Sequence, residues 1–429
     1  RKNVKLSNLY LKAFNGVIKG NLAINNLFKN DITNTDVKNA KFDGNLIAEK
    51  VEINSILKDF KVSIPLEYFP YGRLNSKFKL TGFLTSPEIV GKAFFPEISF
   101  DKKFSTIPNI PNVNADINYK KELINVKTEL NSPDYGKTQI DFLMKNLEQI
   151  IVKTKYNNLK ASTLNAFVPS FNATKGFFTG KTDTSFSLTE LKNAKPYTLA
   201  NLSRVMNIKT ANNITGTNFS YSSYIKGLKK LNGELSFNMG QGALDSSFNL
   251  ATNNFGEIKG TLALDPKEDL DIDFIINNLP IKIVEKYIKN LDIKSGLLDI
   301  TSKTSVKLAK LAKSSSLYNI ASSINTKSKI KLRDGKLSYI RSAKKKLTIT
   351  NGFADIDFTL KNSILDSKLL LKSNEFGIAD GYIKFDKDTN IDGKITNKEI
   401  KLVNLNSFTD LIHIKDGKAA VGVRIIKQD

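Results

Sequence analysis

A chain of 429 residues is longer than one compact domain usually is, because the cores of globular domains stop growing beyond about 250–300 residues. The apolar fraction of 40% excludes global disorder, and the absence of any run of about 18 apolar residues excludes a membrane-spanning helix in this sequence. The formal net charge of +23 calls either for an anionic partner or for a solvated basic surface, and the lack of cysteine leaves the redox compartment open.

The ratio of lysine to arginine indicates which kind of anionic partner the chain suits. The chain has 59 lysines and six arginines, whereas base and phosphate recognition depends on the forked guanidinium group. Nucleic acid is therefore not an expected partner. Lysines recur at alternate positions of the predicted strands, where they favour either a solvated, aggregation-resistant sheet face or contact with anionic membrane surfaces.

The first 180 or so residues are typical of a succession of strands, with Asn, Asp and Gly turns about every ten residues. The segments 17–24 and 42–53 are two of these predicted strands. The clearest piece is 73–95, where one strand ends at Gly82, a turn forms at Ser86-Pro87 and a second strand follows. Each such strand has one apolar face and one polar face.

Helical spacing occurs around 159–168 and again at 197–206, and the composition changes between Lys192 and Pro196. We therefore predict an N-terminal β-repeat region at 1–195, a short helical connector at 196–212 and a C-terminal β domain at 213–429. Within the C-terminal domain, apolar residues at three- and four-residue steps predict a short helix at about 303–324.

Two dipeptides after this helix are strong hairpin signals, Asp334-Gly335 and Asn351-Gly352. We predict a tight turn at each. The flanking segments alternate apolar and polar residues with a period of two, so each predicted strand has one apolar and one solvated face.

The order of elements over about 290–396 resembles the C-terminal module of the AsmA-like family of envelope proteins. A short helix is followed by strands that end in Arg333-Asp-Gly-Lys-Leu and Ile349-Thr-Asn-Gly-Phe, by a strand at Leu369–Leu371 and by Phe376-Gly-Ile-Ala-Asp-Gly-Tyr-Ile-Lys-Phe. The segment 73–95 is similar to the TamB-type repeat of the same family, in which a short Pro-containing turn joins consecutive strands.

The resemblance implies a non-enzymatic cell-envelope protein that carries phospholipid in a hydrophobic β-groove between inner and outer membranes, or that assists outer-membrane assembly. It implies phospholipids, membrane surfaces and outer-membrane assembly proteins as partners. It also implies a periplasmic location and an N-terminal inner-membrane anchor that this sequence lacks. The alternative is a structural or adhesive β-repeat protein of the cell surface, although adhesins more often have strictly periodic repeats and an acidic surface.

Twelve apolar residues form the expected lining of this lipid groove, since they share one face of the predicted strands. They are Ile330, Leu332, Leu347, Ile349, Ala354, Ile356, Phe358, Leu360, Leu369, Leu371, Ile383 and Phe385. The alternative is that the same side chains form an ordinary core. A charge introduced at Ile356 or Phe358 separates the two, because a dry core unfolds around an unpaired charge and an open groove does not.

Two features of the sequence are similar to catalytic motifs. The segment Gly176–Thr182 has two glycines and a Lys-Thr pair, as a phosphate-binding loop does, but it has too few residues between the glycines and lies between strands. The single histidine, His413, cannot form a zinc site or a nucleophile–histidine pair in a chain without cysteine, and we expect it to lie in a strand. No enzyme activity and no cofactor are expected.

A third pattern concerns calcium. Asp388, Asn390, Asp392 and Glu399 match the spacing of an EF-hand calcium loop. The preceding residues alternate like a strand instead of forming an entering helix, and no second such loop exists to pair with it. An Asp/Asn turn that leads into a strand is the preferred interpretation, with calcium binding as the alternative.

Together these patterns predict a mainly β protein, an elongated and curled antiparallel sheet of groove-like repeat architecture with one or two short helices. Curling lets one-faced strands bury apolar surface without a second layer. The alternative is two or three separate β-sandwich-like domains.

Overall fold

A computed structural model describes most of the chain and shows a mainly β protein with a few short helices. The described residues are 2–28, 37–55, 71–100, 107–166, 171–196, 199–221, 225–267, 269–288, 290–313, 317–342, 345–386, 390–407 and 415–427.

The strands belong to one 22-stranded antiparallel sheet. Every described pairing joins strands that are consecutive in the sequence, and none of them joins the first strand to the last, so the sheet is open. The prediction of a mainly β, antiparallel architecture with short helices is therefore confirmed. The chain divides into two compact units, Arg1–Lys230 with Ser236–Gln241 and Leu231–Leu235 with Gly242–Asp429, and the division falls inside one strand.

The first unit contains eleven strands and part of a twelfth. They are β1 (Lys2–Ala13), β2 (Gly16–Phe28), β3 (Lys41–Glu52), β4 (Tyr71–Phe83), β5 (Ser86–Ser99), β6 (Ile110–Lys120), β7 (Leu123–Ser132), β8 (Gly136–Lys145), β9 (Gln149–Lys160), β10 (Phe171–Ser187), β11 (Met206–Tyr221) and β12 (Ile225–Gly240). The turn lies at 84–85, just before the predicted Ser86-Pro87, which begin β5 and pair with Phe83 and Gly82.

The second unit contains the rest of β12 and ten further strands. They are β13 (Ala243–Thr252), β14 (Gly256–Leu264), β15 (Asp269–Pro280), β16 (Leu291–Lys307), β17 (Ile324–Ser342), β18 (Lys345–Lys361), β19 (Ile364–Ser373), β20 (Gly377–Phe385), β21 (Ile391–Lys401) and β22 (Lys418–Lys427).

The helices are short and connect strands. Among the described residues, the 3-10 helices are Ala161–Ala166, Ile281–Tyr287 and Leu402–Ser407. The α-helical segments in the same ranges are 53–55, Leu188–Asn193, Leu199–Val205, Leu308–Leu311 and Leu317–Ser323.

The helices predicted from spacing are longer than those in the structure. Among the described residues of the predicted connector 196–212, Leu199–Val205 is helical and β11 begins at Met206, because residues from Met206 onward pair with β10. Of the predicted helix 303–324, β16 takes residues as far as Lys307.

The two hairpin turns predicted at Asp334-Gly335 and Asn351-Gly352 are wrong. β17 and β18 run through both dipeptides, and Gly335 pairs with Gly352 across the two strands. Asp334 and Asn351 do have the left-handed backbone that such dipeptides favour, with φ of 54° and 49°. That conformation makes a bulge in a continuing strand, not a chain reversal.

A hairpin turn of one design recurs along the chain. In each copy a Ser or Thr hydroxyl accepts a hydrogen bond from the amide of an aromatic residue three positions later, and a glycine with positive φ follows. The three amide-to-hydroxyl bonds are Tyr135 to Ser132 (3.1 Å), Phe255 to Thr252 (2.8 Å) and Phe376 to Ser373 (3.0 Å). These aromatic residues follow one another at intervals of 120 and 121 residues.

A bulge and a short helix recur at similar intervals, of 108 and 120 residues. Lys50, Asn158 and Asn278 have positive φ near the ends of β3, β9 and β15. Each donates its amide to a side chain on the following strand, to Asn75 Oδ1 (3.0 Å), Thr179 Oγ1 (3.2 Å) and Asp299 Oδ1 (3.0 Å). One short helical segment follows each of these strands, and another follows β21.

These correspondences define three repeats of six strands. The first is β4–β9, the second β10–β15 and the third β16–β21, each ending in a 3-10 helix. The second and third repeats also carry a pair of α-helices between their first two strands. The fold is therefore a tandem array in which each repeat pairs with the next one, β9 with β10 and β15 with β16.

Candidate functional site

The apolar face of the third repeat is continuous because its strands are in register. Ile330 pairs with Ile356, which pairs with Leu369. The neighbouring rows, in strand order, are Leu332–Ala354–Leu371–Ala379, Ser328–Phe358–Ser367–Ile383 and Thr326–Leu360–Leu365–Phe385. Ten of the twelve predicted lining residues therefore lie in adjacent rows on one face.

Leu347 and Ile349 lie outside these rows. They pair with Tyr339 and Leu337, beyond the register shift at Gly335. The left-handed residues Asp334 and Asn351 cause that shift, and alternation counted from the sequence cannot carry a face assignment across a bulge.

Most large side chains on this face are only half-buried. Ile330, Ile356, Phe358, Leu360 and Leu369 all keep part of their surface accessible, and Leu371 is 37% exposed. Ala354 is buried at 9%. In a sandwich the second sheet would bury such residues almost completely. The exposure indicates a sheet face that is open to solvent or to a ligand.

The apolar face extends to strands that sequence reasoning did not include in the lining. Phe274 pairs with Ser302, and Ile276 joins Ile258 on one side to Ile300 on the other. The same period-two alternation runs through β13–β16, so the signal was present in the sequence. It was missed because the lining was restricted to the segment that resembles the AsmA-like module.

Two glycines on this type of face are covered by aromatic rings. Phe78 pairs with Gly91 in the first repeat, and Phe248 pairs with Gly260 in the second. A Cβ at Gly91 would lie 2.5 Å from Phe78 Cδ1, and one at Gly260 would lie 2.8 Å from Phe248 Cζ. The two rings therefore occupy the space that a side chain at Gly91 or Gly260 would take, and the sheet face remains apolar at both positions.

The first unit has a more closely packed apolar cluster. Ala48, Val51, Leu74, Ala93 and Ala115 are buried and lie on β3–β6. The partly buried side chains packed against them are Phe14, Ile18, Phe95, Ile117 and Val126. Because small residues predominate, large neighbours fold over them, and this part of the face acts as core.

The opposite face of the third repeat is charged and internally paired. Lys329 Nζ lies 3.2 Å from both Asp355 Oδ1 and Asp357 Oδ2, and these two hydrogen bonds raise its pKa. Arg333 binds Asp299 through a fork of 2.7 and 3.0 Å. Such pairs hold neighbouring strands in register.

Asp299 shows how bulge and charge are coupled. Burial raises the pKa of its carboxyl group, but the Asn278 amide and the Arg333 guanidinium outweigh that effect, and the pKa is lowered. Arg333 also donates to Asn278 Oδ1 at 2.9 Å. The ion pair therefore fixes the bulge that precedes the helix Ile281–Tyr287.

The calcium-loop residues are spread along an extended strand. Asp392 and Glu399 lie seven positions apart on β21, about 23 Å at strand spacing. Asp392 accepts hydrogen bonds from Tyr382 and Arg424, and Glu399 lies near Lys418. Asn390 donates to Asp386 at 2.9 Å, whereas Asp388 lies outside the described residues.

No three His, Cys, Asp or Glu side chains converge into a metal site anywhere in the part of the chain that the structure describes. His413 lies outside that part, so its predicted strand position stays a prediction. Gly176–Thr182 lies within β10, where the extended backbone forms no phosphate-binding loop.

Comparison with protein families, with curated proteins and with solved structures finds no match to this chain. Among the described residues, none of the helices is both long and apolar enough to span a bilayer. The chemistry of the two sheet faces is therefore the basis for assigning a function to this chain.

Proposed function

We propose that this chain is a non-enzymatic lipid carrier of the cell envelope, of the AsmA-like kind. Acyl chains of phospholipids lie against the apolar face of the sheet while the charged face stays in water. Such a carrier transports phospholipid between the inner and outer membranes or assists outer-membrane assembly. A periplasmic location and an inner-membrane anchor belong to the same proposal.

The observation that carries the proposal is the half-exposure of large apolar side chains over many adjacent strands. Open apolar surface of this extent is unusual in a soluble protein unless something covers it. The described rows of the third repeat carry no charged side chain, so they suit hydrocarbon better than a polar ligand. Acyl chains gain about 0.8 kcal/mol for each methylene removed from water.

A charge placed on this face tests the proposal. Phe358→Lys and Ile356→Asp should fold, with a loss of less than about 1 kcal/mol, because the new group reaches water at the open face. Both should abolish labelling of the third repeat by a phospholipid that carries a photo-crosslinker in its acyl chain. Labelled peptides are identified by mass spectrometry.

Thr359→Lys is the matched control, because Thr359 is exposed on the opposite face next to Phe358. It should leave both folding and labelling unchanged. Unfolding of Phe358→Lys and Ile356→Asp by more than about 3 kcal/mol would mean that the face is a dry core. Unchanged labelling in both variants would place the lipid elsewhere and refute the proposal.

A further inference from the structure

A cluster of four hydroxyl groups interrupts the apolar face of the third repeat. Register brings Ser302 opposite Ser328 and Thr304 opposite Thr326. The Ser302 and Ser328 oxygens lie 2.8 Å apart and the two threonine oxygens 2.7 Å apart. Further contacts of 3.1 to 3.4 Å join the two pairs.

The cluster lies in apolar surroundings. Phe274 flanks Ser302 across the sheet on one side, and Phe358 flanks Ser328 on the other. Ser302 and Ser328 are buried, whereas the threonines are half-buried. No charged side chain lies in the described rows around the cluster, so it offers neutral hydrogen-bonding groups only.

One pair of facing hydroxyl groups also occurs at the corresponding place one repeat earlier. Thr182 on β10 pairs with Thr210 on β11, and their hydroxyl oxygens lie 3.1 Å apart. Thr182 corresponds to Ser302 and Thr210 to Ser328, since each pair joins the first two strands of its repeat. The residue types of this pair differ between the two repeats but the hydroxyl groups are kept, whereas the second pair is not repeated, because Thr184 lies opposite Ile208.

The donor count shows what such a cluster can bind. Four hydroxyls carry four O–H donors. The contacts of 2.7 to 3.1 Å close a ring of four that can use all four donors, and opening one of these contacts frees one donor for a ligand while every oxygen keeps a partner. Hydroxyl groups rotate freely, so the outward donor is supplied without leaving a buried group unpaired.

We propose that this hydroxyl cluster binds the ester carbonyl groups of acyl-ester lipids. This inference rests on the proposed lipid-carrier function and narrows its substrate class. An ester carbonyl is a neutral acceptor attached directly to an acyl chain, which matches a single donor in an uncharged apolar face. A free carboxylate or a phosphate group would instead require a cation that these rows lack.

Two probes that differ only in the carbonyl test the proposal: dioleoyl phosphatidylglycerol and its dialkyl ether analogue. The full chain should bind the ester lipid about three- to ten-fold more tightly, the effect of one neutral hydrogen bond. Binding of each lipid is measured by displacement of a fluorescent acyl probe.

The test variant combines Ser302→Ala, Thr304→Val, Thr326→Val and Ser328→Ala. It removes donors and acceptors together, so it should fold as the parent chain does. It should bind both lipids with the affinity of the parent for the ether, and so lose the preference. The control Thr301→Val with Thr359→Val removes exposed hydroxyls from the opposite face and should keep the preference.

The outcomes separate this inference from the lipid-carrier function. If the parent chain binds both lipids equally, or if the test variant keeps the ester preference, the hydroxyl cluster is only a structural feature and lipid binding stands. If neither lipid binds the parent chain, the lipid-carrier function itself is refuted.

Discussion

At the scale of single residues, Glu148 links a strand end to a helix. Its carboxylate accepts hydrogen bonds from the hydroxyl group of Ser187 and from the amide of Thr189 (3.0 Å). Ser187 in turn caps the helix Leu188–Asn193 by accepting the Glu190 amide at 3.2 Å. These bonds, that of Ser187 first, lower the pKa of Glu148.

The pKa direction sets the pH dependence. The pKa of Glu148 in the folded chain lies below its unfolded value near 4.5. The ionised carboxylate therefore stabilises the fold fully above that value, and this stabilisation is lost as pH falls through the lowered folded pKa. Glu148→Gln should therefore reduce stability at pH 7 and flatten the loss of stability between pH 5 and 3. Urea midpoints at each pH measure this, with Glu129→Gln on β7 as control. A variant with the parent's pH profile would contradict the prediction.

At the scale of elements, the recurring hairpin turn depends on its glycine. Gly256 has φ of +71°, and a Cβ there would lie 2.2 Å from the Asn277 carbonyl oxygen. Gly216 has φ of +61° with open space around it, and Gly422 has neither constraint. The three positions therefore separate backbone strain from steric overlap.

Alanine substitutions should rank accordingly. Gly422→Ala should be neutral, Gly216→Ala should cost about 1–2 kcal/mol from left-handed strain, and Gly256→Ala should cost more than either because the adjacent strand must also move. Urea unfolding of the three variants measures the order. Equal costs at Gly216 and Gly256 would show that overlap with β15 contributes nothing.

At the scale of the whole molecule, the repeats predict that the array tolerates removal of one period. Gly136 and Gly256 occupy equivalent positions, each following an aromatic residue whose amide bonds to the hydroxyl three residues earlier. Deleting 137–256 joins Gly136 to Glu257 and keeps both the turn and the strand register. Since each repeat contacts mainly its neighbours, the shortened chain should fold and unfold cooperatively.

Deleting 137–246 is the matched control. It joins Gly136 to Ser247, ten residues out of phase, so the turn is followed by the second part of β13 instead of by a complete strand. Circular dichroism and thermal unfolding should show a folded first variant and a misfolded or aggregated control. Similar behaviour of the two would mean that the correspondence of repeats has no structural weight.

Much of the fold could be predicted from the sequence because period-two alternation is a local property. The alternation within each strand shows which of its side chains share a face, so the mainly β class and most residues of the apolar face could be predicted from residue type alone. The period of about 120 residues was also present, in Ser132–Gly136, Thr252–Gly256 and Ser373–Gly377. It was missed because only the glycine is identical in the three copies. The hydroxyl group comes from Ser or Thr, and the amide that donates to it comes from Tyr or Phe.

Only the tertiary structure decided the rest, because pairing across strands is not local. Asp334-Gly335 and Asn351-Gly352 require a left-handed backbone in either a turn or a bulge, and the choice depends on whether the neighbouring strands continue. Ser302 and Ser328 are 26 residues apart in sequence, and register alone makes them one donor cluster. Alternation likewise fixes which side chains share a face, but the exposed fraction depends on what packs against that face, so the open surface was visible only in the folded sheet.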